Sequence, residues 1–353
     1  MRKLFKRILL TLILLVAVVL AGAAFLYHSE LKTLLSLKQI NSHPFYTMTY
    51  DGDYGFDDFL KQGAHSDSDI EHFVTKRLLK GIPIQFHVTK GGCSAFAARN
   101  EKGEALYGRN FDFEYTPALF LRTKPKDGYA SVSMVNLSFA GYTQKNLPQP
   151  QRLSSFLTLA APYLPFDGVN EKGLAVALLA VYKTQGPDDP SHVTLNTTTA
   201  IRLLLDKAAT VPQAEALLKQ YNIYFSAGVD CHYLIEDASG ASVVVEYWDH
   251  GVQFVKSPET YQAVTNFIQY KGLNIDEEGT KDYTGNEFKR YDIIMDRLKK
   301  SGGVINANDA MSLLKGVSQK STQWSVVYNL KAGSGSVCIA GDYAHPYSFH
   351  LKT

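Results

Sequence analysis

The sequence has few cysteines and no marked excess of charge of either sign. Only 3 cysteines occur in 353 residues, too few for a disulfide framework. The 36 Lys and Arg residues nearly balance the 34 Asp and Glu residues, for a formal net charge of +2. Since nucleic-acid-binding proteins normally carry a basic field over one face, this balance argues against a nucleic-acid partner. The 45% of hydrophobic residues is typical of a globular chain.

Signatures of metal and nucleotide chemistry are also missing. There is no H-E-x-x-H and no paired C-x-x-C, so no zinc site is evident. No G-x-S-x-G elbow occurs, and no phosphate-binding glycine-rich loop precedes a helix. We therefore expect neither a metal nor a cofactor.

The N-terminal region places its positive charge before a long apolar run. Four basic residues are the only charges among residues 1–27, and residues 8–27 carry none. Twenty helical residues span about 30 Å, the thickness of a hydrocarbon core. Residues 8–27 thus predict a lipid-membrane anchor, with the rest of the chain outside the cytoplasm. The alternative is a cleaved signal peptide and a secreted protein, because Ala21-Gly22-Ala23 fits a small-x-small cleavage site.

The rest of the chain predicts a layered α+β fold. Residues 28–92 form a mixed, polar segment whose apolar content is thin for an independent domain. After Gly92 the pattern becomes strand-like, and residues 94–100 and 105–113 alternate around a turn as in a hairpin. Blocks of predicted strands then alternate with predicted helices, whose apolar residues recur at helical spacing, as at residues 197–208 and 287–300. That order favours a fold of stacked helical and sheet layers over a parallel sheet built from βαβ units.

Cys93 follows two glycines and opens a predicted strand. A thiol there is placed to attack the Gly92 carbonyl and, after an acyl shift and hydrolysis, to leave Cys93 with a free α-amine. Gly91 and Gly92 would permit the strained backbone that such an attack needs. The α-amine, which titrates near ~8, is a general base for the thiol on the same residue. From these residues alone, the alternative is a buried structural thiol, which is how we interpret Cys231 and Cys338.

Two charged residues on the neighbouring strand suit this chemistry. We expect Arg109 to favour the thiolate and lower the thiol pKa, and Asp112 to accept hydrogen bonds from the α-ammonium. The alternatives are a surface charge and a turn residue.

The arrangement of Cys93 and Gly108-Arg109-Asn110-Phe111-Asp112 resembles the choloylglycine hydrolase family of linear amide C–N hydrolases. That family includes bile salt hydrolases and penicillin V acylases, with acid ceramidase and N-acylethanolamine acid amidase as relatives. Its nucleophilic Cys precedes the paired Arg by sixteen residues and the Asp by nineteen, as here. Further resembling blocks, in the same order, are residues 166–175, 232–246, 264–267 and 288–291.

The resemblance implies a four-layer αββα fold of the N-terminal nucleophile (Ntn) hydrolases. It divides the chain into a targeting segment, residues 1–27, a pro-segment, residues 28–92, and a catalytic domain, residues 93–353. The arrangement with a pro-segment is similar to that of acid ceramidase, in which cleavage yields two associated chains. Cleavage is expected between Gly92 and Cys93.

The resemblance also assigns roles to residues of the site. Cys93 is the expected nucleophile, with Arg109 and Asp112 beside it. Asn266 is expected to donate to the oxyanion, and Arg290 to support the active site. The second oxyanion donor is the main-chain N–H of Ala180, where bile salt hydrolases have an Asn.

The expected activity is hydrolysis of the amide bond of small N-acyl substrates through a Cys thioester (EC 3.5.1.-). One alternative is an acyltransferase that uses the same acyl-enzyme with another acceptor. The other is a non-catalytic, membrane-tethered binding protein on the same fold, against which the intact set of site residues argues.

Overall fold

A computed structural model describes residues 2–86, 91–270 and 286–351 of the chain. Its helices are α1 (Arg2–Leu26), α2 (His28–Ser36), α3 (Phe56–Gln62), α4 (Asp67–Arg77), α5 (Thr197–Lys207), α6 (Val211–Leu218), α7 (Asn286–Lys300) and α8 (Ala307–Gly316). Short 3₁₀ segments cover Leu137–Ala140, Leu153–Tyr163 and Ser226–Gly228.

The strands, in chain order, are β1 (Lys38–Asn41), β2 (Phe45–Thr49), β3 (Gly92–Arg99), β4 (Ala105–Asp112), β5 (Ala118–Thr123), β6 (Ser131–Asn136), β7 (Pro165–Asn170), β8 (Ala175–Ala180), β9 (Val193–Asn196), β10 (Tyr221–Tyr224), β11 (Cys231–Glu236), β12 (Ser242–Trp248), β13 (Gly251–Val255), β14 (Gln262–Val264), β15 (Thr322–Asn329), β16 (Ser334–Ile339) and β17 (Tyr347–His350).

Two large sheets form the centre of the molecule. A nine-stranded sheet has the order β1-β2-β5-β6-β7-β8-β11-β12-β13, and a six-stranded sheet has the order β14-β3-β4-β15-β16-β17. The sheets meet where β3 packs against β8 and β11. Helix α5 packs on β7 and β8, whereas α7 and α8 pack on strands of the six-stranded sheet. The layers are therefore helix, sheet, sheet, helix, and the α+β prediction is confirmed.

The alternation of side chains along β3 explains why it is buried on both faces. Cys93 and Ala95 belong to the core between the two sheets. Phe96 and Ala98 belong to a second core that β3 shares with α7 and α8. Because successive residues of a strand point to opposite faces, the nucleophile candidate faces the other sheet and not the helices.

Most of the predicted elements agree with the structure, including the β3–β4 hairpin and helices α5 and α7. Strand β6 ends at Asn136. There the Asn136 side chain accepts a hydrogen bond from the Ser138 N–H, which begins a 3₁₀ turn. Strands β1, β2 and β5 were not predicted.

The segment before the expected cleavage site is part of the same core. Strand β2 pairs in parallel with β5 and so extends the nine-stranded sheet. The Tyr54 hydroxyl donates to Asp206 Oδ2 at 2.7 Å, and Phe59 packs edge-on against Tyr163 at 5.5 Å between ring centroids. Residues 87–90, also within the predicted pro-segment, lie outside the described residues.

The N-terminal segment forms helix α1, and several of its described apolar side chains are exposed, among them Ile8 and Leu14. In the part of the chain that the structure describes, no helix meets the length and apolarity needed to cross a membrane.

Candidate active site

Cys93 is the second residue of β3 and lies between the two sheets. Its side chain is only 2% exposed. Across the ladder of the hairpin, Cys93 stands opposite Phe111, and Gly92 stands opposite Asp112. The hairpin predicted from the sequence therefore places the Gly92–Cys93 bond beside Asp112.

The side chain of Asn266 holds the main-chain N–H of Cys93. That N–H donates a 2.7 Å hydrogen bond to Asn266 Oδ1, and Arg290 Nη2 donates to the same oxygen at 2.9 Å. Asn266 Nδ2 donates to the Ala180 carbonyl oxygen at 2.8 Å. Two donors at one end of the amide and a carbonyl at the other fix its orientation. The bond to Ala180 uses one of the two Nδ2 hydrogens.

Arg290 is buried on α7 and joins this amide to β3. Its Nη1 atom donates to the Cys93 carbonyl oxygen and, at 2.7 Å, to Ser94 Oγ. Ser94 had no predicted role. Since it alternates with Cys93 along β3, its side chain points to the helical layer, where it meets Arg290.

Ala180 ends β8, and its main-chain groups face Asn266. The N–H of Val181 donates to the Asp230 carbonyl at 2.8 Å, on the side of β11. Because successive residues of a strand direct their N–H and C=O groups to opposite sides, those of Ala180 point away from β11. The carbonyl of Ala180 meets Asn266 there. The predicted main-chain oxyanion donor thus lies beside the predicted side-chain donor.

Arg109 is fully buried between the sheets, and its hydrogen bonds go to the nine-stranded sheet. Its Nε donates to Asp167 Oδ2 and its Nη1 to the Leu178 carbonyl, each at 2.8 Å. The Nη2 atom is buried and has no hydrogen-bond partner among the described residues. Although burial opposes the charged form, Cys93 and Asp167 raise the pKa of Arg109, which remains a cation near the thiol.

Asp167 is the partner that sequence reasoning did not assign. Its carboxylate also accepts hydrogen bonds from Trp324 Nε1 at 2.8 Å and from the Tyr328 hydroxyl at 2.7 Å. With Arg109, three donors therefore fix this buried anion. Asp167 stands inside the resembling block 166–175, which was the only sequence signal for it.

Asp112 is also fixed by side chains from a distant part of the sequence. Its Oδ1 accepts from Thr322 Oγ1 at 2.5 Å, and its Oδ2 accepts from Gln319 Nε2 at 2.6 Å. In the uncut chain the N–H of Cys93 donates to Asn266 and not to Asp112. The carboxylate is nevertheless adjacent to the atoms that cleavage would free, because Asp112 pairs with Gly92.

The surroundings of Cys93 raise the pKa of its thiol. Burial disfavours the thiolate, and this effect outweighs the nearby Arg109 and Arg290 charges, which lower the pKa. The prediction that Arg109 gives a lowered thiol pKa is therefore wrong for the uncut chain. The local sequence shows the charge of Arg109 but not the burial of the Cys93 thiol. A thiol with a raised pKa needs a base to take its proton.

Glycine is favoured at positions 91 and 92 because a side chain there would lie too close to neighbouring atoms, and not because of a positive φ. Neither residue has a positive φ. A Cβ atom on Gly91 would lie 2.4 Å from the Asp112 carbonyl oxygen, and one on Gly92 would lie 2.8 Å from Gln319 Nε2. In the uncut chain the two glycines therefore lie outside the left-handed region that favours glycine. The glycines let the chain approach β4 closely before it enters β3.

Two cavities meet at the entry to β3. The inner one is mainly apolar and includes Cys93, Phe111, Phe113, Phe139, Phe166 and Leu178. The outer one has several charged and amide side chains in its lining, namely Asp112, Glu114, Asn266, Glu287, Arg290 and Gln319. Gly91 and Ala180 line both. An acyl amide centred at Cys93 would thus meet an aromatic and aliphatic lining on one side, and charged and amide side chains on the other.

The other cysteines are unpaired. Cys231 and Cys338 are buried free thiols, so no bridge joins them. Burial raises the pKa of the Cys231 thiol, although Cys231 lines the inner cavity. Within residues 2–86, 91–270 and 286–351, no group of three His, Cys, Asp or Glu side chains is arranged to hold a metal ion.

Comparisons with known sequences match this region. A family model described as linear amide C–N hydrolases, choloylglycine hydrolase family, matches residues 93–307. The bile salt hydrolase/transferase of Clostridium perfringens is 27% identical over 203 residues, which cover 52% of this chain and 59% of that relative. The penicillin V acylase of Pectobacterium atrosepticum is 33% identical over 122 residues, 31% of this chain and 32% of that relative. The chain thus matches less than two thirds of the length of either relative.

Among solved structures, the chain is similar to a mutant of conjugated bile acid hydrolase from Clostridium perfringens. The TM-score is 0.52 at 17% identity, over 73% of this chain and 92% of that chain. At this identity the similarity establishes a shared fold, and the chemistry has to be argued from the site.

Proposed function

The chain belongs to the choloylglycine hydrolase family of linear amide C–N hydrolases, and on that premise we propose that it hydrolyses small N-acyl amides with Cys93 as the nucleophile. The observation that carries this proposal is the hydrogen bond from the Cys93 N–H to Asn266. It holds the atom that would become the α-amine within a network that also includes Arg290 and the Ala180 carbonyl.

We propose that the enzyme first cuts itself. The thiol of Cys93 attacks the Gly92 carbonyl, the acyl group moves from nitrogen to sulfur, and water cleaves the resulting thioester. Gly92 gains a new carboxylate at the end of the first chain, and Cys93 keeps its thiol and gains a free α-amine. The raised thiol pKa in the uncut chain supports a role for this amine, since it supplies a base on the same residue.

In the mature enzyme the α-amine takes the thiol proton, and the thiolate attacks the amide carbonyl of the substrate. The second Nδ2 hydrogen of Asn266 and the N–H of Ala180 donate to the oxyanion. The α-ammonium protonates the leaving amine as the C–N bond breaks, which leaves a thioester on Cys93. Water, deprotonated by the α-amine, then releases the carboxylic acid and restores the thiol.

The proposed substrate carries an acyl chain or an aromatic acyl group. Five phenylalanines line the inner cavity, which favours an apolar acyl group there. The amine part would then extend into the outer cavity, among its charged and amide side chains. The relatives are named for bile salts and penicillin V, and Ala180 in place of an Asn speaks against a substrate closely similar to bile salts.

The test combines intact mass with turnover of a panel of N-acyl amides. We expect the wild-type chain to yield a fragment that begins at Cys93 and to release free amine from the substrate. Cys93→Ala should remain uncut and inactive, whereas Cys338→Ala, which removes another buried free thiol, should behave like the wild type. Turnover by Cys93→Ala would refute the proposal, and turnover by an uncut wild-type chain would require another base.

Acyl transfer would use the same thioester with an amine in place of water, and the name of the Clostridium perfringens relative includes both activities. Product yields measured with water alone and with added amines separate the two reactions. Hydrolysis predicts that added amines leave the yield of free acid unchanged.

We also propose that the catalytic part lies outside the cytoplasm, held at a membrane by residues 8–27. The basic flank and the uncharged run of the sequence support this location. The chain should then stay with membranes after an alkaline wash. Release of a shortened chain into the medium would instead favour the cleaved signal peptide.

A further inference from the structure

We propose that His232 and Glu246 form a buried ion pair that positions Asn266 for turnover. This inference rests on the proposed function, because it assigns a positioning role at the same site. Both side chains are 0% exposed, and neither lines the inner or the outer cavity. Any effect of the pair on the reaction must therefore pass through the residues that it holds.

The two side chains project from adjacent strands. The ladder between β11 and β12 pairs Tyr233 with Val245, and continuing this register places His232 opposite Glu246. His232 Nδ1 lies 3.0 Å from Glu246 Oε1. The other ring nitrogen, Nε2, lies 2.7 Å from the Thr265 carbonyl oxygen.

The hydrogen-bond partners of this pair support a charged state. A carbonyl oxygen only accepts, so Nε2 of His232 must carry a proton and donate to Thr265. Glu246 accepts from the Gln269 N–H at 2.9 Å and 3.1 Å on its two oxygens, and from the Tyr270 N–H at 2.8 Å. Main-chain donors at both oxygens favour the carboxylate, to which Nδ1 then also donates. The proposed state of His232 is therefore an imidazolium that faces a carboxylate.

The buried ion pair holds both ends of the segment 265–270. The imidazolium binds the carbonyl of Thr265, and the carboxylate binds the N–H groups of Gln269 and Tyr270. Strand β14 ends at Val264, so the main-chain groups of this segment need partners outside a sheet. Asn266 directly follows Thr265, and the pair therefore sets where its amide lies.

A side-chain bond on the same segment supports this geometry. Thr265 Oγ1 donates to the Glu287 carbonyl on α7 at 2.9 Å, next to the helix turn that carries Arg290. Asn266 and Arg290 share a hydrogen bond. The positions of both therefore depend on segment 265–270, which the ion pair holds. A shift of the segment by about 1 Å would move the oxyanion donor enough to cost about 10²-fold in rate.

The kinetic test uses Glu246→Gln, which keeps the shape and removes the charge. On protein whose mass shows the cut at Cys93, we expect kcat to fall about 10²-fold with KM little changed, because the acyl cavity is intact. The control is Glu236→Gln, which replaces a buried carboxyl group on β11. Among the described residues, no hydrogen bond joins the side chain of Glu236 to segment 265–270. The kcat of this variant should stay at the wild-type value.

A spectroscopic test does not depend on how any variant folds. Nitrogen NMR of ¹⁵N-histidine-labelled wild-type protein at pH 7.5 should show one ring with both nitrogens protonated and with slowly exchanging N–H protons. If His232→Gln folds, the variant should lack this signal. A spectrum that contains only neutral or rapidly exchanging rings would overturn the ion pair.

The outcomes separate this inference from the proposed function. If the wild type hydrolyses no N-acyl amide, the proposed function fails, and the NMR spectrum alone decides the ion pair. If the wild type is active and mature Glu246→Gln has the same kcat, the positioning role is refuted while the function stands. If Glu246→Gln does not fold, the spectrum of the wild type decides.

Discussion

Asn266 takes part in both proposed reactions, self-cleavage and substrate turnover. Its Oδ1 holds the nitrogen of the bond to be cut, and its Nδ2 faces the Ala180 carbonyl at the junction of the two cavities. One amide can serve both steps because its two ends differ, one accepting and the other donating. Arg290 keeps the accepting end turned towards β3.

We predict that Asn266→Ala lowers kcat by about 10²–10³-fold, the usual effect of losing one oxyanion donor. The rate is measured on the fraction whose mass begins at Cys93. Asn136→Ala is the matched control, because it removes a buried amide that caps a turn after β6. That variant should lose stability but keep its kcat. An Asn266→Ala enzyme with wild-type kcat would exclude Asn266 from the oxyanion site.

The sequence predicted Cys93, Arg109 and Asp112 because they lie on one hairpin, where spacing fixes neighbours. The residues that hold them, Asp167 and Thr322, come from strands far along the chain, and no local pattern links them to the hairpin. The thiol pKa was predicted with the wrong direction for a related reason. A charge is visible in the sequence, but the burial that outweighs it depends on the opposing sheet.

At the scale of elements, the chain that enters β3 needs glycine because it passes close to β4. The chain passes so close to β4 at Gly91 that a methyl group would overlap the Asp112 carbonyl, a backbone atom that cannot move aside. At Gly92 the nearest atom belongs to the flexible side chain of Gln319. The two glycines should therefore differ in their tolerance of alanine.

We predict that Gly91→Ala slows the cut at Cys93 by about 10²-fold, because a displacement of about 1 Å disturbs the attack geometry. Gly92→Ala should slow it less. Gly316→Ala is the control, since a Cβ there meets no atom within 4 Å. Intact mass followed over time after synthesis measures the three rates, and a Gly91→Ala chain cut as fast as the wild type would contradict the packing argument.

The elements that sequence patterns located are those stabilised by near neighbours. The β3–β4 hairpin and helix α5 show their period within a dozen residues. Strand β2 is short, and its partner β5 starts at Ala118, so nothing around Phe45 indicates the pairing. Parallel pairing across such a distance is fixed by the whole sheet and not by local preference.

For the whole molecule, the segment before Cys93 has a structural role. The sequence predicts that this segment does not fold independently, and in the structure its large apolar side chains pack into the common core. The buried side chains include Phe45, Tyr46, Met48, Tyr54, Phe56 and Phe59. Each contributes about 1.5–3 kcal/mol by burial. Loss of this burial would expose the matching apolar surface of the rest of the core.

We therefore predict that cleavage at Cys93 leaves one particle made of two chains. Both fragments should co-elute in native size-exclusion chromatography and separate only in denaturant, as intact mass would show. A chain of residues 93–353 made alone should be unfolded, because β5 would become an uncovered sheet edge and Asp206 would lose its Tyr54 partner. Residues 28–92 supplied in trans should restore folding. A 93–353 chain that folds and hydrolyses amides by itself would show that the first chain is dispensable to the core that it helps to build.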